Sequence, residues 1–117
     1  MSIANATAVS RGSAVDRRWS KVHAAASYQD VDALRDLLRG GASPNVQDAF
    51  GQTPLHIAVD REMDAWKQAG EEPSTVAVEL LLAYGADADL PDDAGSSARD
   101  WAARNGFLAA TQLFGST

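Results

Sequence analysis

Two histidines and a run of carboxylates are the side chains whose types and spacing could support chemistry in this chain. His23 and His56 are the two histidines among the 117 residues, and they occupy corresponding positions of a repeated pattern. A shared metal ion would need both rings within about 2 Å of it, whereas packed helices lie roughly 8–10 Å apart. No third ligand is evident, so we expect a structural role for both rings and no metal site.

The carboxylates do not form a convincing catalytic centre. Paired carboxylates can do acid–base work when a dry pocket separates their pKa values, but most of these acids fall on an expected surface helix and on turns. Ser96 and Ser97 with Asp100 are interpreted as the degenerate start of a helix. The sequence has no Gly-rich phosphate loop, no nucleophile elbow and no EF-hand spacing. We therefore expect no enzyme and no cofactor, with a weak surface calcium site at 87–92 left open.

Acidic residues are concentrated in the middle of the chain. The net charge is −6, from 16 acidic and 10 basic residues, and residues 60–93 contain ten acids against Arg61 and Lys67. This segment is either a solvated face that keeps the protein soluble or a negative patch that steers a basic partner. Nucleic acid is disfavoured as a partner, because phosphate binding needs clustered Lys and Arg.

Length and composition indicate one domain without covalent cross-links. A chain of 117 residues is of single-domain size. It has no cysteine, hence no disulfide framework, thiol nucleophile or zinc–thiolate site. No apolar run has the length of a signal peptide or membrane span, so we expect a cytoplasmic protein without membrane contact. Residues 1–17 are either a flexible tail or a short helix packed on the first repeat, and we expect a complete chain that ends soon after Phe114.

The elements that position these side chains follow from internal repetition. The segment 53–58 reads T-P-L-H-I-A, and the segment 80–87 reads L-L-L-A-Y-G-A-D. His23 and His56 are 33 residues apart, and self-similarity at this spacing is the signature of a stacked-repeat fold. Thr53 can cap a helix, Pro54 suits its first position, Leu55 lies on its buried face, and Gly85 suits a left-handed helix end.

These motifs resemble the ankyrin repeat family. The middle copy carries the family's T-P-L-H-x-A motif unchanged and its L-L-L-x-x-G-A-D end. The resemblance covers about 18–117 and implies an all-α solenoid of about three stacked helix-turn-helix repeats joined by β-turn or hairpin loops. The repeats are expected at about 18–47, 48–91 (with an insertion near 60–74) and 92–117. The irregular first and last copies are expected to be end caps with polar outer edges.

The resemblance also implies roles for particular residues. In the family, an imidazole at the position of His23 and His56 hydrogen-bonds to the backbone and tethers neighbouring loops. Such stacks bind partners with their turn tips and with the inner face of their first helices. The structural positions implied are Thr53, Pro54, Leu55, His56, His23 and Gly85. The candidate partner-binding residues are Tyr28, Ala49, Phe50, Gln52, Asp60, Arg61, Trp66, Asp93, Ala94, Arg104 and Asn105.

The middle repeat is longer than the family pattern. From Asp48 to Asp92 is 44 residues, 11 more than the usual 33. Apolar residues continue into the insertion at helical spacing, which predicts a first helix that runs to near Gln68. Gly70 is expected to end this helix, and the second helix is expected to open at Pro73 or Ser74.

Two aromatic residues have alternative roles. Trp66 either packs on the extended partner helix or is an exposed anchor, and Trp is enriched among binding hot spots. Phe50, at a turn tip, either folds back on its own hairpin or contacts a partner. Self-association through Phe50 or Trp66 is a further possibility.

The predicted function is non-enzymatic binding of another protein by a monomer, and the partner is basic if the acidic segment steers binding. One version is an inhibitor or immunity protein that neutralises a toxin or enzyme. A second version is an adaptor or scaffold subunit. An enzyme is the alternative of a different class, and the sequence disfavours it.

Overall fold

The protein is built from helical hairpins stacked side by side. The structure, a computed structural model, describes residues 19–70 and 74–115, apart from the side chain of Ala69; the alternatives for residues 1–17 concern residues outside this part. The described ranges contain six helices and no strand. The helices are α1 Lys21–Tyr28, α2 Val31–Arg39, α3 Pro54–Ala69, α4 Val76–Ala83, α5 Ala98–Arg104 and α6 Leu108–Leu113. The first helices α1, α3 and α5 form one row, and α2 packs on α4 beside it.

Each first helix begins in the same way, with a hydroxyl side chain at the N-cap. The N-cap accepts a backbone N–H from the third helical residue, whose own side chain accepts the N-cap N–H. This reciprocal pairing satisfies two of the amides that a helix start leaves free. The pairs are Ser20 with His23, Thr53 with His56, and Ser97 with Asp100. The expected helix starts at Thr53 and Ser97 are thereby confirmed.

Small and branched apolar side chains make one core through the three hairpins. Ala25, Ala58 and Ala102 occupy the same place in α1, α3 and α5, and all three are buried. A methyl group at this place lets neighbouring helices approach closely, because little side chain separates the backbones. Leu34 and Leu81, on the second helices, are fully buried and fill the space behind the first-helix row.

The two imidazoles tie each repeat to the next. Nδ1 of His56 lies 3.0 Å from the Thr53 amide nitrogen, and Nε2 lies 2.8 Å from the carbonyl oxygen of Ser96. A backbone N–H can only donate, so Nδ1 accepts, and Nε2–H donates to the carbonyl of the following repeat's turn. The same arrangement joins Ser20, His23 and the carbonyl of Gln52. The expected tethering role is confirmed.

Burial supports the neutral state of the first tether. His23 is fully buried, and desolvation lowers its pKa from the ordinary value, against the opposing effects of the bond to Gln52 and the charge of Asp48. A lowered pKa keeps the ring neutral at physiological pH, which the pattern of one accepting and one donating nitrogen requires.

The first helix of the middle repeat is extended, as the apolar spacing predicts. Helix α3 has 16 residues against 8 in α1 and 7 in α5. It ends at Ala69, and its C-cap is Gly70, whose φ of 69° is left-handed and therefore suits glycine. The extension does not stand free: the indole of Trp66 stacks on Phe107, with ring centroids 5.5 Å apart. Trp66 thus packs on the third repeat, an arrangement that neither sequence alternative described.

The start of the second helix in the middle repeat differs from the prediction. Helix α4 begins at Val76, after Thr75, and not at Pro73 or Ser74. The Thr75 side chain makes no capping bond. Instead, the carboxyl oxygen Oε2 of Glu62, on α3, accepts the N–H of Ala77 at 3.0 Å. The helix start is set by a residue distant in sequence, which local capping rules do not detect.

The irregular last repeat is explained by a cation at its first turn. Arg99 stands where the regular motif has leucine, and its guanidinium pairs with Asp89 at 2.7 Å. The same guanidinium donates to the carbonyl oxygens of Phe114 and Gly115 at the end of α6. A cation at a helix C-terminus is favourable, because the last carbonyls carry partial negative charge. Arg99 therefore joins the second repeat's turn to the end of α6.

Replacing His56 by alanine tests the tether. His56→Ala leaves the amide of the buried Thr53 without its partner, which costs about 1–3 kcal/mol. It also removes one of two hydrogen bonds to the Ser96 carbonyl, which keeps the N–H of Asp92. We expect the free energy of unfolding to fall by about 2–4 kcal/mol in urea denaturation followed by circular dichroism. The control is Asp100→Ala, which removes a cap without a tether and should cost about 1 kcal/mol. Equal losses for the two variants would contradict the tethering role.

Candidate protein-interaction surface

The turn before each later repeat is held rigid by a buried or half-buried aspartate. Asp48 is 4% exposed, and its Oδ1 accepts the backbone N–H groups of Phe50 and Gln52, each at 2.9 Å. Asp92 does the same for Ala94 and Ser96 in the next turn. Two bonds to one carboxylate oxygen restrict the backbone of the tip, so the exposed side chains there have a defined position.

Phe50 is an exposed aromatic residue on this fixed backbone. Its side chain is 69% exposed, so it does not fold back into its own hairpin. Its carbonyl oxygen accepts the N–H of Asp93 at 2.9 Å, which joins the tips of the second and third repeats. Ala49, Asp93 and Ala94 are also exposed. We call Ala49, Phe50, Asp93 and Ala94 the tip surface.

Gln52 belongs to the interior side of this turn. It is half-buried, and its carbonyl oxygen receives the Nε2–H of His23. Its position is therefore explained by the tether between the first two repeats. Contact with a partner remains a prediction for this residue.

On the inner face, side-chain hydrogen bonds connect α3 to the first helices on either side of it. Nε of Arg61 donates to Oγ of Ser27 on α1 at 3.1 Å. Nζ of Lys67, in the extension, donates to Oδ1 of Asn105 at the end of α5, at 3.2 Å. These long side chains connect α3 to both neighbours, and they add to the rigidity of the face.

A groove of about 530 Å³ opens between the extension and α5. Its walls are Asp60, Met63, Asp64 and Lys67 on α3, Trp101 and Arg104 on α5, and Asn105 directly after α5. The structure thus brings together three predicted residues, Asp60, Arg104 and Asn105. Met63, Asp64, Lys67 and Trp101 were missed as site residues, although the spacing 60, 63, 64, 67 marks one face of a helix.

The other predicted residues lie elsewhere. Tyr28, at the end of α1, is 82% exposed. It lines a separate groove of about 460 Å³ formed by the first repeat, together with Ala33 and Leu37. Trp66 is half-buried against Phe107 and is not an exposed anchor.

Several acids of the middle segment are engaged within the protein. Asp89 pairs with Arg99, and the hydrogen bond to that guanidinium is the main reason why the pKa of Asp89 is lowered. Asp92 holds a turn. Glu62 is 2% exposed, and burial raises its pKa to about 8, so it is mainly uncharged at pH 7. Because Glu62 is mainly uncharged, the segment is less negative at neutral pH than its composition indicates.

The groove itself has mixed charge. Asp60, Asp64 and Lys67 line it from α3, and Arg104 lines it from α5. Nη2 of Arg104 donates to Oγ of Ser96 at 2.6 Å, and Lys67 is bonded to Asn105.

Among the described residues, no group of three or more His, Cys, Asp or Glu side chains could hold a metal ion. In the same ranges, no helix has the length and apolar character needed to cross a membrane.

Comparison with known proteins agrees with this architecture. The family described as ankyrin repeats matches residues 22–115, in three copies. The chain belongs to the ankyrin repeat family. As in other stacked-repeat proteins, each ankyrin repeat here contacts its neighbours, so the tip surface and groove form on a continuous scaffold.

Individual relatives match this ankyrin repeat chain over a small part of their own length. Neurogenic locus notch homolog protein 1 of Homo sapiens is 34% identical over 105 residues, which is 70% of this chain and 4% of that protein. Neurogenic locus notch homolog protein 2 of Homo sapiens is 34% identical over 115 residues, or 79% of this chain and 5% of that protein. Neurogenic locus notch homolog protein 1 of Danio rerio is 36% identical over 105 residues. The chain therefore spans about one-twentieth of these relatives.

Two phenylalanines provide a test of exposed and buried positions in this ankyrin repeat protein. Phe50 is 69% exposed, whereas Phe107 is fully buried. We expect Phe50→Ala to change the free energy of unfolding by less than about 0.5 kcal/mol, and Phe107→Ala to lower it by about 3–5 kcal/mol. Urea denaturation of the two variants measures both values. A loss above about 1 kcal/mol for Phe50→Ala would show that its ring packs on the protein.

Proposed function

We propose that this chain is a non-enzymatic module that binds another protein through its tip surface and the groove on its inner face. The observation that carries the proposal is the exposed ring of Phe50 on a backbone held by Asp48 and Asp93. Aromatic residues are enriched in protein interfaces. A side chain whose backbone is already fixed loses less conformational entropy on binding, so more of its contact energy becomes affinity.

The partner's chemistry is proposed from charge. The chain has a net charge of −6, and exposed carboxylates such as Asp60, Asp64 and Asp93 lie near or on the proposed surface. A basic protein would be steered toward such a surface, and its affinity would fall with salt. We further propose that the module acts as a monomer in the cytoplasm, without contact with nucleic acid or membrane.

Two roles are compatible with this function. An inhibitor or immunity protein would use the tip surface and groove together to occlude one partner. An adaptor would bind two partners on different surfaces, and the groove beside Tyr28 supplies a second surface, made by α1 and α2. Binding stoichiometry separates these roles: one partner per chain supports the inhibitor, and two different partners supports the adaptor.

Removing the Phe50 ring should weaken binding without unfolding the protein. The full chain and Phe50→Ala serve as parallel baits in native lysate, and the captured protein is then purified and titrated by calorimetry. We expect Phe50→Ala to raise the Kd at least 10-fold, because truncating a hot-spot aromatic side chain costs about 1.4–2 kcal/mol of binding free energy. The matched control is Tyr84→Ala, since Tyr84 is an aromatic residue 40% exposed after α4. Equal Kd values for wild type and Phe50→Ala would contradict the tip surface.

Charge neutralisation on the inner face should also weaken binding. In Asp60→Asn/Asp64→Asn, the groove loses two carboxylates, and we expect affinity to fall about 3–10-fold, mainly through slower association. Asp32→Asn/Glu79→Gln is the matched control, because it removes two exposed carboxylates, on α2 and α4, that line neither groove. Surface plasmon resonance at low and high salt measures both rates. Equal effects of the two double variants, or binding that is insensitive to salt, would argue against a basic partner at this groove.

A further inference from the structure

The extension contains a buried carboxyl group that protein binding does not require. Glu62 lies in α3 and is 2% exposed. Its Oε2 accepts the N–H of Ala77 at 3.0 Å, while its Oε1 is buried and has no hydrogen-bond partner among the described residues. A buried polar atom without a partner is costly, so this position needs an explanation beyond helix packing.

Glu62 replaces the local cap that helix α4 lacks. The hydroxyl of Thr75, the N-cap residue, donates to Oε2 of Glu79 at 2.6 Å and does not bond the helix amides. Oγ of Ser74 lies 3.5 Å from the Val76 nitrogen, the outer limit for a hydrogen bond. The first turn of α4 therefore depends on a side chain from α3.

The surroundings of this carboxyl disfavour its charged form. Burial is the main cause that raises the pKa of Glu62 to about 8, and the charge of Glu79 raises it further, against hydrogen bonds from Ala77 and Val78. No Lys or Arg of the described residues forms an ion pair with Glu62.

The nearby charged groups on the packed elements are engaged elsewhere or exposed. On α3, Arg61 donates to Ser27 and Lys67 donates to Asn105, both toward the first-helix row. On α2, which packs on α4, Arg35 pairs with Asp32, and Asp36 and Arg39 are exposed.

Ionisation of this group has a defined effect on stability. The native pKa lies above the unfolded value of about 4.5, so the native state retains a proton that the unfolded state has lost. The stabilisation is fully present below about pH 4.5 and is lost as the pH rises, until it is gone above about pH 8. Any partly open state in which water reaches the carboxylate becomes more stable relative to the closed state over the same pH range.

The first turn of α4 is the place where such opening is easiest. Val76 is 49% exposed, and it lies directly before Ala77, whose N–H bonds to Glu62. Breaking this one bond admits water to the carboxyl without disturbing the imidazole tethers, which are made by His23 on α1 and His56 in the first turn of α3 and do not involve α4.

We propose that Glu62 and the first turn of α4 form a pH-sensitive latch, closed while the carboxyl is protonated and opened when it ionises at mildly alkaline pH. The latch is a property of the insertion and is independent of the proposed binding function. In the closed state the extension and α4 move as one unit. In the open state α4 loses its cap and frays from its N-terminal end.

Nuclear magnetic resonance of the full chain tests the latch. The Cδ resonance of Glu62 should titrate near pH 8. Between pH 6 and pH 9, the hydrogen-exchange protection factors of Ala77 and Val78 should fall by roughly 10–100-fold, since each unit of pKa difference is a factor of ten. The protection factor of Ala26, in α1, should change much less. Because protection factors are corrected for intrinsic exchange, the fall reports opening of the helix.

Two variants separate the latch from general alkaline destabilisation. Glu62→Gln keeps an acceptor for Ala77 but cannot ionise, so its protection factors should be insensitive to pH over this range. Asp64→Asn removes an exposed carboxylate on the same helix and should keep the wild-type pH dependence. Titration of Glu62 near pH 4.5, an equal pH response in Glu62→Gln, or a parallel loss of protection at Ala26 would overturn the proposal. If Glu62→Gln does not fold, the wild-type titration and exchange data decide.

Discussion

The imidazole of His56 holds the second and third repeats together, because it bonds at the same time to the start of its own helix and to the turn of the next repeat. A helix start has free N–H groups, and the turn carbonyl of Ser96, which already accepts the N–H of Asp92, has a second lone pair to accept another donor. A neutral imidazole presents one acceptor and one donor on opposite sides of a flat ring, so one side chain satisfies both. His23 repeats this solution one interface earlier. The third repeat has Asp100 at this place, which caps its helix, and no later repeat is present in the described residues for it to tether.

The extension of α3 uses this scaffold in two ways. On one side, Trp66 stacks on Phe107 and Lys67 bonds to Asn105, so the added turns are supported by the third repeat. On the other side, Glu62 holds the start of α4. A helix that projects beyond its neighbours would leave apolar side chains in water, and these contacts remove that cost for the indole. They also open the groove, because α5 is shorter than the helix beside it.

The proposed binding surface depends on rigidity more than on one chemical group. Asp48 and Asp92 fix the turns, and Phe50 and Asp93 join neighbouring tips through their backbones. The exposed ring of Phe50 is therefore presented by a chain of hydrogen bonds that runs into the core. Some acids of the middle repeat already have partners within this framework. Asp92 accepts backbone N–H groups of its turn, and Asp89 pairs with Arg99.

The sequence by itself determined the repeat architecture, the capped helix starts at Thr53 and Ser97, and the extension of α3 to Gly70. These features depend on local chemistry, namely hydroxyl caps, helical spacing of apolar residues and a left-handed glycine, which is readable over a few neighbouring positions. Only the tertiary structure decided that Trp66 meets Phe107 and that α4 starts at Val76 under a carboxyl from α3. Those outcomes depend on which side chains from distant repeats come into contact, and no local pattern specifies that contact.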